Sequence, residues 1–217
     1  MTFAHASNAI AGFFVSRLAF NRTPWDRFLT GDDRALSRTE LRGARSFMTV
    51  GSCSGCHEGA ALTGGFRNVA LAQFGPGKGN GPAGNDDFGQ ENVTGDPDDR
   101  YRFRTSPLRN IEITAPYGHA GQFVELRDFV DHYSESALKL RNYDRSQIER
   151  RLRNTVVPNV EEVLATRSRT LDGLVFTVTN EITTFLKALT DPRARFLDGM
   201  IPDRVPSGLS VERVRRR

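Results

Sequence analysis

Cys53-Ser54-Gly55-Cys56-His57 gathers both cysteines of a 217-residue chain and one of its four histidines into a single short run. Two thiols three positions apart can form a redox pair, supply half of a zinc site, or make thioethers to a porphyrin. The residue that follows separates these chemistries, and here it is His57. The run has the attachment pattern of a c-type haem: Cys53 and Cys56 bond the vinyl groups and the adjacent imidazole is the proximal iron ligand. The spacing suits that task because the first cysteine and the Cys-His pair share one helical turn against the porphyrin edge. Zinc would require two further soft or imidazole ligands at short spacing, whereas the remaining histidines are the scattered His5, His119 and His132. A thioredoxin-like pair wants a strand before it in a βαβ setting, which "RGARSFMTVGS" does not supply.

The elements that must position this run are mostly helical. With 38% hydrophobic residues the chain can bury one real core, so one domain with attached segments is expected. No window approaches the ~20 apolar residues of a membrane span. The first twenty residues look superficially like a secretory signal but lack a basic leading region, and Ile10, Phe13, Phe14 and Leu18 fall at helical spacing, which predicts an amphipathic helix. Ser37-Arg38-Thr39-Glu40 has the spacing of a capping box, so a helix is predicted from about Thr39 to Met48, delivering the chain to the cysteines. Residues 64 to 107 hold most of the Gly, Asp, Asn and Pro and read as loop. They are either a solvated insertion or a cover for the apolar faces of a haem.

Further on, Leu126, Phe129, Val130 and Tyr133 form the i, i+3, i+4, i+7 stripe of a helix, which turns Tyr133 inward. His132 lies about 100° around the same helix and is expected at the rim or in solvent. Ile182, Phe185, Leu186 and Leu189 make a second stripe, stopped by Pro192. Arg102, Arg104 and Arg109 crowd one segment, where guanidinium groups suit bidentate contact with haem propionates or simply form a solvated face. The net charge of +4 owes much to Arg213, Arg215, Arg216 and Arg217, a terminal tail of the kind that is usually solvated. Basic and aromatic residues are not interleaved as in a nucleic-acid module, so no nucleic-acid partner is expected.

The blocks "TPWDRFLTGDDRALSRTELRGARSFMTVGSCSGCHEGAALTGGFRNVAL", "YRFRTSPLRNIEITAPYGHAGQFVELRDFVDHY", "FLKALTDP" and "VPSGL", in this order and spacing, resemble the C-terminal haem half of the bacterial di-haem cytochrome c peroxidases. The maturation enzyme of methylamine dehydrogenase belongs to the same group, and the resemblance runs over roughly residues 1 to 210. It implies two fused cytochrome c domains in the family, an N-terminal haem that meets hydrogen peroxide and a C-terminal haem that passes electrons to it or stores oxidising equivalents. Two departures matter. There is one Cys-x-x-Cys-His run, so the peroxide-binding domain with its catalytic acid and intervening tryptophan is missing, and no catalytic residue is assigned. The methionine that serves the peroxidases as sixth iron ligand is also absent, since the chain has only Met1, Met48 and Met200. By register from Thr114-Ala115-Pro116-Tyr117, the ligand position is Tyr133, where the methylamine dehydrogenase maturation branch also has tyrosine.

Tyr133 is therefore the candidate distal ligand, a hard oxygen donor that favours ferric iron. The competing reading is a buried tyrosine whose hydroxyl only forms a hydrogen bond. The resemblance makes His119 a structural residue beside the haem, and its imidazole is also a competitor for the iron. Thr114 and Pro116 match positions whose carbonyls bind calcium between the two haem domains, although the asparagine that the N-terminal domain contributes is absent. Trp25 reads as packing, against a role as an electron relay.

These readings give an all-α, cytochrome c-like haem domain over residues 37–210, an N-terminal helical extension over 1–36 with a long polar loop further on, and a basic tail over 211–217. The expected function is electron transfer through one covalent haem c, with calcium as a second candidate metal and a redox protein or second haem domain as partner. The alternatives are a stand-alone haem peroxidase with an open or weakly ligated iron and a haem-based sensor or interaction module. Thioether attachment implies a periplasmic or otherwise exported protein, although the chain itself shows no export signal.

Overall fold

The computed structural model describes residues 2–174, 177–197 and 202–211. Most of the basic tail, together with Met1 and Met200, lies outside them. The chain is mainly helical. The expected N-terminal helix forms as α1 (Phe3–Arg17), although none of its residues is buried. α2 (Pro24–Leu29) starts at a proline in its first turn, where the missing N–H costs nothing. Its cap is reciprocal: Thr23 Oγ1 accepts from the Asp26 N–H at 3.0 Å and the Thr23 N–H donates to Asp26 Oδ2 at 3.0 Å.

α3 (Arg38–Met48) begins one residue before the sequence-based boundary and carries the predicted capping box. Ser37 Oγ accepts from the Glu40 N–H at 3.2 Å, and the Ser37 N–H donates to Glu40 Oε2 at 2.6 Å. The chain then runs irregularly through two short antiparallel strands and a one-turn helix: β1 (Phe66–Arg67), α4 (Glu91–Thr94) and β2 (Phe103–Arg104), with Phe66 opposite Arg104. α5 (Leu126–His132), α6 (Ser136–Arg141), α7 (Val160–Ala165) and α8 (Thr179–Lys187) complete the fold.

The most extensive helix pairing is α3 against α8. The two backbones approach so closely that a Cβ on Gly43 would sit 2.0 Å from the Glu181 carbonyl oxygen, so only glycine is accommodated there. Ala44 and Phe47 of α3 meet Ile182, Phe185 and Leu186 of α8, and Leu126 and Val130 of α5 close the cluster. Trp25 packs on it, its ring 5.1 Å from that of Phe185 in an edge contact.

The segment 64–107 is not a solvated insertion. Residues 70 to 74 are buried, Leu71 and Leu108 join the main core, and Ala70, Ala72 and Tyr101 build a second cluster with Leu140 and Val163. Buried Asn68 pins the segment from both sides: its Nδ2 donates to the Val163 carbonyl at 2.7 Å and its Oδ1 accepts from the Ala70 N–H at 2.9 Å. His132 departs from the sequence expectation. It is 2% exposed, and its Nε2 donates to the Val69 carbonyl at 2.8 Å. Burial pushes its pKa down to about 4, so the imidazole is neutral near pH 7 and ties α5 to the segment 64–107.

After α8 the chain is fastened back to the start of the core by Asp191, a fully buried carboxylate. It accepts from the backbone N–H groups of Arg22 and Arg193, each at 2.9 Å, and from the Arg193 guanidinium at 2.7 Å. The Arg193 hydrogen bond holds its pKa down to about 2. A folded-state pKa below the unfolded value gives stability that is complete above about pH 4 and is lost as pH falls toward 2. Thermal unfolding across that window should therefore lose on the order of 1–2 kcal/mol through this group, and Asp191→Asn should be less stable at pH 7 with a flatter acid dependence.

Candidate haem site

The Cys-x-x-Cys-His run sits on a 3₁₀ turn, Cys53–Gly55, reached from α3 through the short turn Thr49 to Ser52. Ser52 takes the left-handed conformation (φ 49°), and the Cys56 and His57 N–H groups both donate to the Cys53 carbonyl, at 3.1 and 2.9 Å. Two glycines make the turn sterically feasible. A Cβ on Gly51 would meet Ile182 Cδ1 at 2.8 Å, and one on Gly64 would meet the Cys56 carbonyl oxygen at 2.1 Å. Both cysteines are free thiols of intermediate exposure, and burial pushes the Cys53 thiol up to about 12.

His57 is oriented by its own loop. Its Nδ1 donates to the Leu62 carbonyl at 2.9 Å, which leaves the Nε2 lone pair available to a metal. Burial, the larger effect, lowers its pKa against the contrary pull of the backbone bonds. The Phe47 ring lies 6.3 Å from the imidazole, so the α3–α8 core backs the ligand directly.

These side chains face one cavity of ≈ 1210 Å³, above the roughly 300–1,000 Å³ of ordinary small-molecule clefts. Cys53, Cys56 and His57 border it on one element, and Leu126, Phe129, Val130 and Tyr133 bring the α5 stripe to it as the sequence reading expected. Val69 and Leu71 of the long segment, with Leu108 just after it, supply a further apolar wall. Tyr133 is the C-cap of α5 and lines the cavity half-buried. Its hydroxyl has no hydrogen-bond partner among the described residues, and burial, with the two cysteine sulfurs adding, raises its pKa well above the ordinary phenol value. An apolar cavity with two thiols, one imidazole with a free nitrogen and an unpartnered phenol has the donor set and dimensions that fit a covalently held haem.

The cavity also reaches the polar residues predicted from sequence, in different roles. His119 Nε2 pairs with Asp87 Oδ2 at 2.9 Å, and its ring stacks on Phe103 at 3.7 Å between centroids. Arg102 donates to Asp99 at 2.9 Å, while Arg104 is exposed at the cavity with no ion-pair partner among the described residues. Arg109 points elsewhere. It forks onto Asp26, at 2.8 and 2.7 Å, and donates to the Ala60 carbonyl at 2.8 Å, clamping α2 to the loop after the cysteines. Thr114 and Pro116 border the cavity on either side of a cis Ala115–Pro116 peptide. Among the described residues no group of three His, Cys, Asp or Glu side chains forms a metal site.

Sequence reasoning missed Asp87, Phe103, Lys78 at the cavity edge and the tie made by His132. Each depends on a contact between segments far apart in the chain, and no local spacing signals it. The Arg109–Asp26 fork predicts a clear contrast in the holoprotein. Arg109→Ala should cost about 2–4 kcal/mol in guanidinium unfolding because it strands a partly buried carboxylate. Arg104→Ala should cost no more than about 1 kcal/mol, as for an exposed charge at the cavity edge.

No protein-family model matches the sequence. Among curated proteins, cytochrome c551 peroxidase of Pseudomonas aeruginosa is 43% identical over 112 residues, which cover 50% of this chain and 30% of that protein. Among solved structures, a MauG-like protein associated with microbial copper homeostasis superposes with a TM-score of 0.56 at 26% identity, over 81% of this chain and 53% of the other. The diheme peroxidase BthA of Burkholderia thailandensis shares the fold, with a TM-score of 0.52 at 20% identity over 88% of this chain and 50% of that one. The chain spans less than half the length of the curated relatives it matches. The order of sequence blocks, the helical fold and these likenesses agree: the chain's homologues are di-haem cytochrome c peroxidases and MauG.

Proposed function

We propose that residues 37–210 form a cytochrome c-like domain that transfers electrons through one covalent haem c, as the C-terminal half of a di-haem peroxidase or related oxidoreductase. Residues 1–36 are then an extension outside it and 211–217 a tail. The observation that carries this reading is the convergence of Cys53, Cys56, His57 and Tyr133 on one apolar cavity. Bound there, the haem would supply one-electron chemistry at its iron.

The chain's own residues hold and tune the group. Cys53 and Cys56 fix it through thioethers, and His57 presents Nε2 while the Leu62 carbonyl fixes its tautomer. Tyr133 offers the phenol oxygen that no protein group occupies. Arg104 and Lys78, both without ion-pair partners among the described residues, supply positive charge for the propionates at the cavity edge. The Thr114 and Pro116 carbonyls would serve calcium only once the second domain adds its share of ligands. Because thioether attachment takes place outside the bacterial cytoplasm, the working protein is periplasmic or otherwise exported. Among the described residues no helix is long and apolar enough to cross a membrane.

Produced with a c-type maturation system, the protein should show one haem per chain in a pyridine haemochrome assay. His57→Gly should keep the thioether-bound haem with a disrupted spectrum. A wild type that matures without haem would end this reading.

Tyr133→Phe retains the ring and removes only the unpartnered oxygen. The holoprotein should change little in stability, by about 1 kcal/mol or less. Its ferric spectrum should shift toward five-coordinate high spin, or toward His119 or water as substitute ligand, with a higher reduction potential. An unchanged ferric spectrum and potential would make Tyr133 a packing residue.

A further inference from the structure

Leu62 holds a backbone conformation that leucine adopts only under constraint. Its φ is 51°, in the left-handed region, where the Cβ crowds the following carbonyl. Strain of this kind persists only where the surroundings enforce it. The carbonyl that Leu62 presents is the acceptor for His57 Nδ1, at 2.9 Å. That bond fixes the tautomer of the imidazole and makes Nε2 the more basic donor.

The loop that carries Leu62 does little by itself to enforce this. The Glu58 N–H donates to the Thr63 carbonyl at 2.9 Å, the Thr63 N–H to the Glu58 carbonyl at 3.0 Å, and the Leu62 N–H to the Gly59 carbonyl at 3.1 Å. These bonds close a short turn, yet Glu58, Gly59 and Ala60 are exposed, and a small exposed turn opens readily. Further support comes from the segment 105–109, which runs alongside. The Thr63 hydroxyl donates to the Thr105 carbonyl at 2.6 Å, and the Leu108 N–H donates to the Ala61 carbonyl at 3.3 Å. At the exposed tip, Arg109 Nε donates to the Ala60 carbonyl at 2.8 Å.

Arg109 can hold that tip because it is itself immobilised. Its two terminal nitrogens fork onto Asp26 at 2.8 and 2.7 Å. Asp26 is fixed in turn by the cap of α2, where the Thr23 hydroxyl and N–H donate to Oδ2 at 2.9 and 3.0 Å. The planar guanidinium thus uses three of its N–H groups in one rigid frame, which an ammonium group on a flexible stem does not reproduce. The support runs from α2 through Arg109 to the loop, and from Leu62 to the imidazole.

We propose that Arg109, anchored by Asp26, is a positioning residue for the proximal ligand. It locks the loop 58–63 so that the Leu62 carbonyl keeps its hydrogen bond to His57 Nδ1, and so holds down the reduction potential of a haem bound there. The proposal rests on the reading of Cys53, Cys56 and His57 as a haem site. Its sign separates it from a plain charge effect. Weakening the Nδ1–H bond makes Nε2 a poorer donor to ferric iron and raises the potential. Removing a cation favours the ferric state and lowers it.

Reduction potential and loop exchange in the haem-loaded full chain test this. Arg109→Lys keeps the charge and can still pair with Asp26, but it cannot reach Ala60 at the same time. Its potential should rise with the ferric ligand set unchanged, and the amides of residues 58–63 should exchange ~10-fold or more faster. Asp26→Asn, which removes the anchor of the guanidinium, should move both readings in the same direction. Arg141→Ala removes a fork of the same chemistry, on Glu161 and outside the cavity lining, and should move neither.

Faster loop exchange in Arg109→Lys at an unchanged potential would make the clamp structural only and overturn the proposal. A fall in potential in Arg109→Ala would report the lost cation instead of the lost hydrogen bond, and would overturn it too. Should Arg109→Ala not fold, the lysine variant decides. A wild type that takes up no haem would count against the haem reading alone. In that haem-free chain the His57 Nδ1–H, followed by NMR of histidine-labelled protein, should still exchange faster in Arg109→Lys, and equal exchange would overturn the positioning.

Discussion

The close crossing of α3 over α8 is the contact on which the rest of the molecule depends. Gly43 lets the two backbones meet at a distance that no side chain tolerates. That approach sets Phe47 between Phe185, 5.4 Å away, and His57, 6.3 Å away, so core packing is transmitted to the imidazole through a single ring. The same crossing brings Ile182 against Gly51, at the entrance to the cysteine turn. A helix offset by even part of a turn would move the imidazole and both thiols together, because only the short turn from Thr49 to Ser52 separates α3 from the 3₁₀ turn. The attachment run is therefore positioned by helix packing and refined by hydrogen bonds.

The opposite wall is assembled differently. Segment 64–107 has almost no regular structure, so its backbone polar groups must find partners elsewhere, and buried polar side chains of the segment itself and of other elements tie it down. Asn68 reaches α7, Gln122 donates to the Ala72 carbonyl at 2.8 Å, and His132 donates to Val69. Each places a neutral polar group in the interior with its hydrogen bond made, which avoids the penalty of an unsatisfied buried group. The result is an irregular wall tied to α5, α7 and the Gln122 loop by buried hydrogen bonds.

Charge is distributed to match. The carboxylates and guanidinium groups that are partly or fully buried away from the cavity are paired for structure: Asp26 with Arg109, and Asp191 with Arg193. Arg104 and Lys78, two cations without ion-pair partners among the described residues, border the cavity. An apolar interior with positive charge at its edge suits a ligand whose body is hydrophobic and whose periphery is anionic.

Local chemistry determined what could be read from the sequence alone. The Cys53-Cys56-His57 run, the Ser37–Glu40 capping box and the two apolar stripes each depend on residues within two helical turns of one another. Their spacing therefore fixed the haem expectation, the start of α3 and the inward turn of Tyr133 before any fold was known. Tertiary structure decided everything that joins remote segments. It buried His132, which lies off the centre of its helix stripe, because the Val69 carbonyl from an irregular segment was waiting there. It turned Arg109 away from the cavity because Asp26 offered a better-matched, partly desolvated partner. It left α1 with none of its residues buried, although Ile10, Phe13, Phe14 and Leu18 fall at the spacing of an amphipathic helix, because no other described element packs over them.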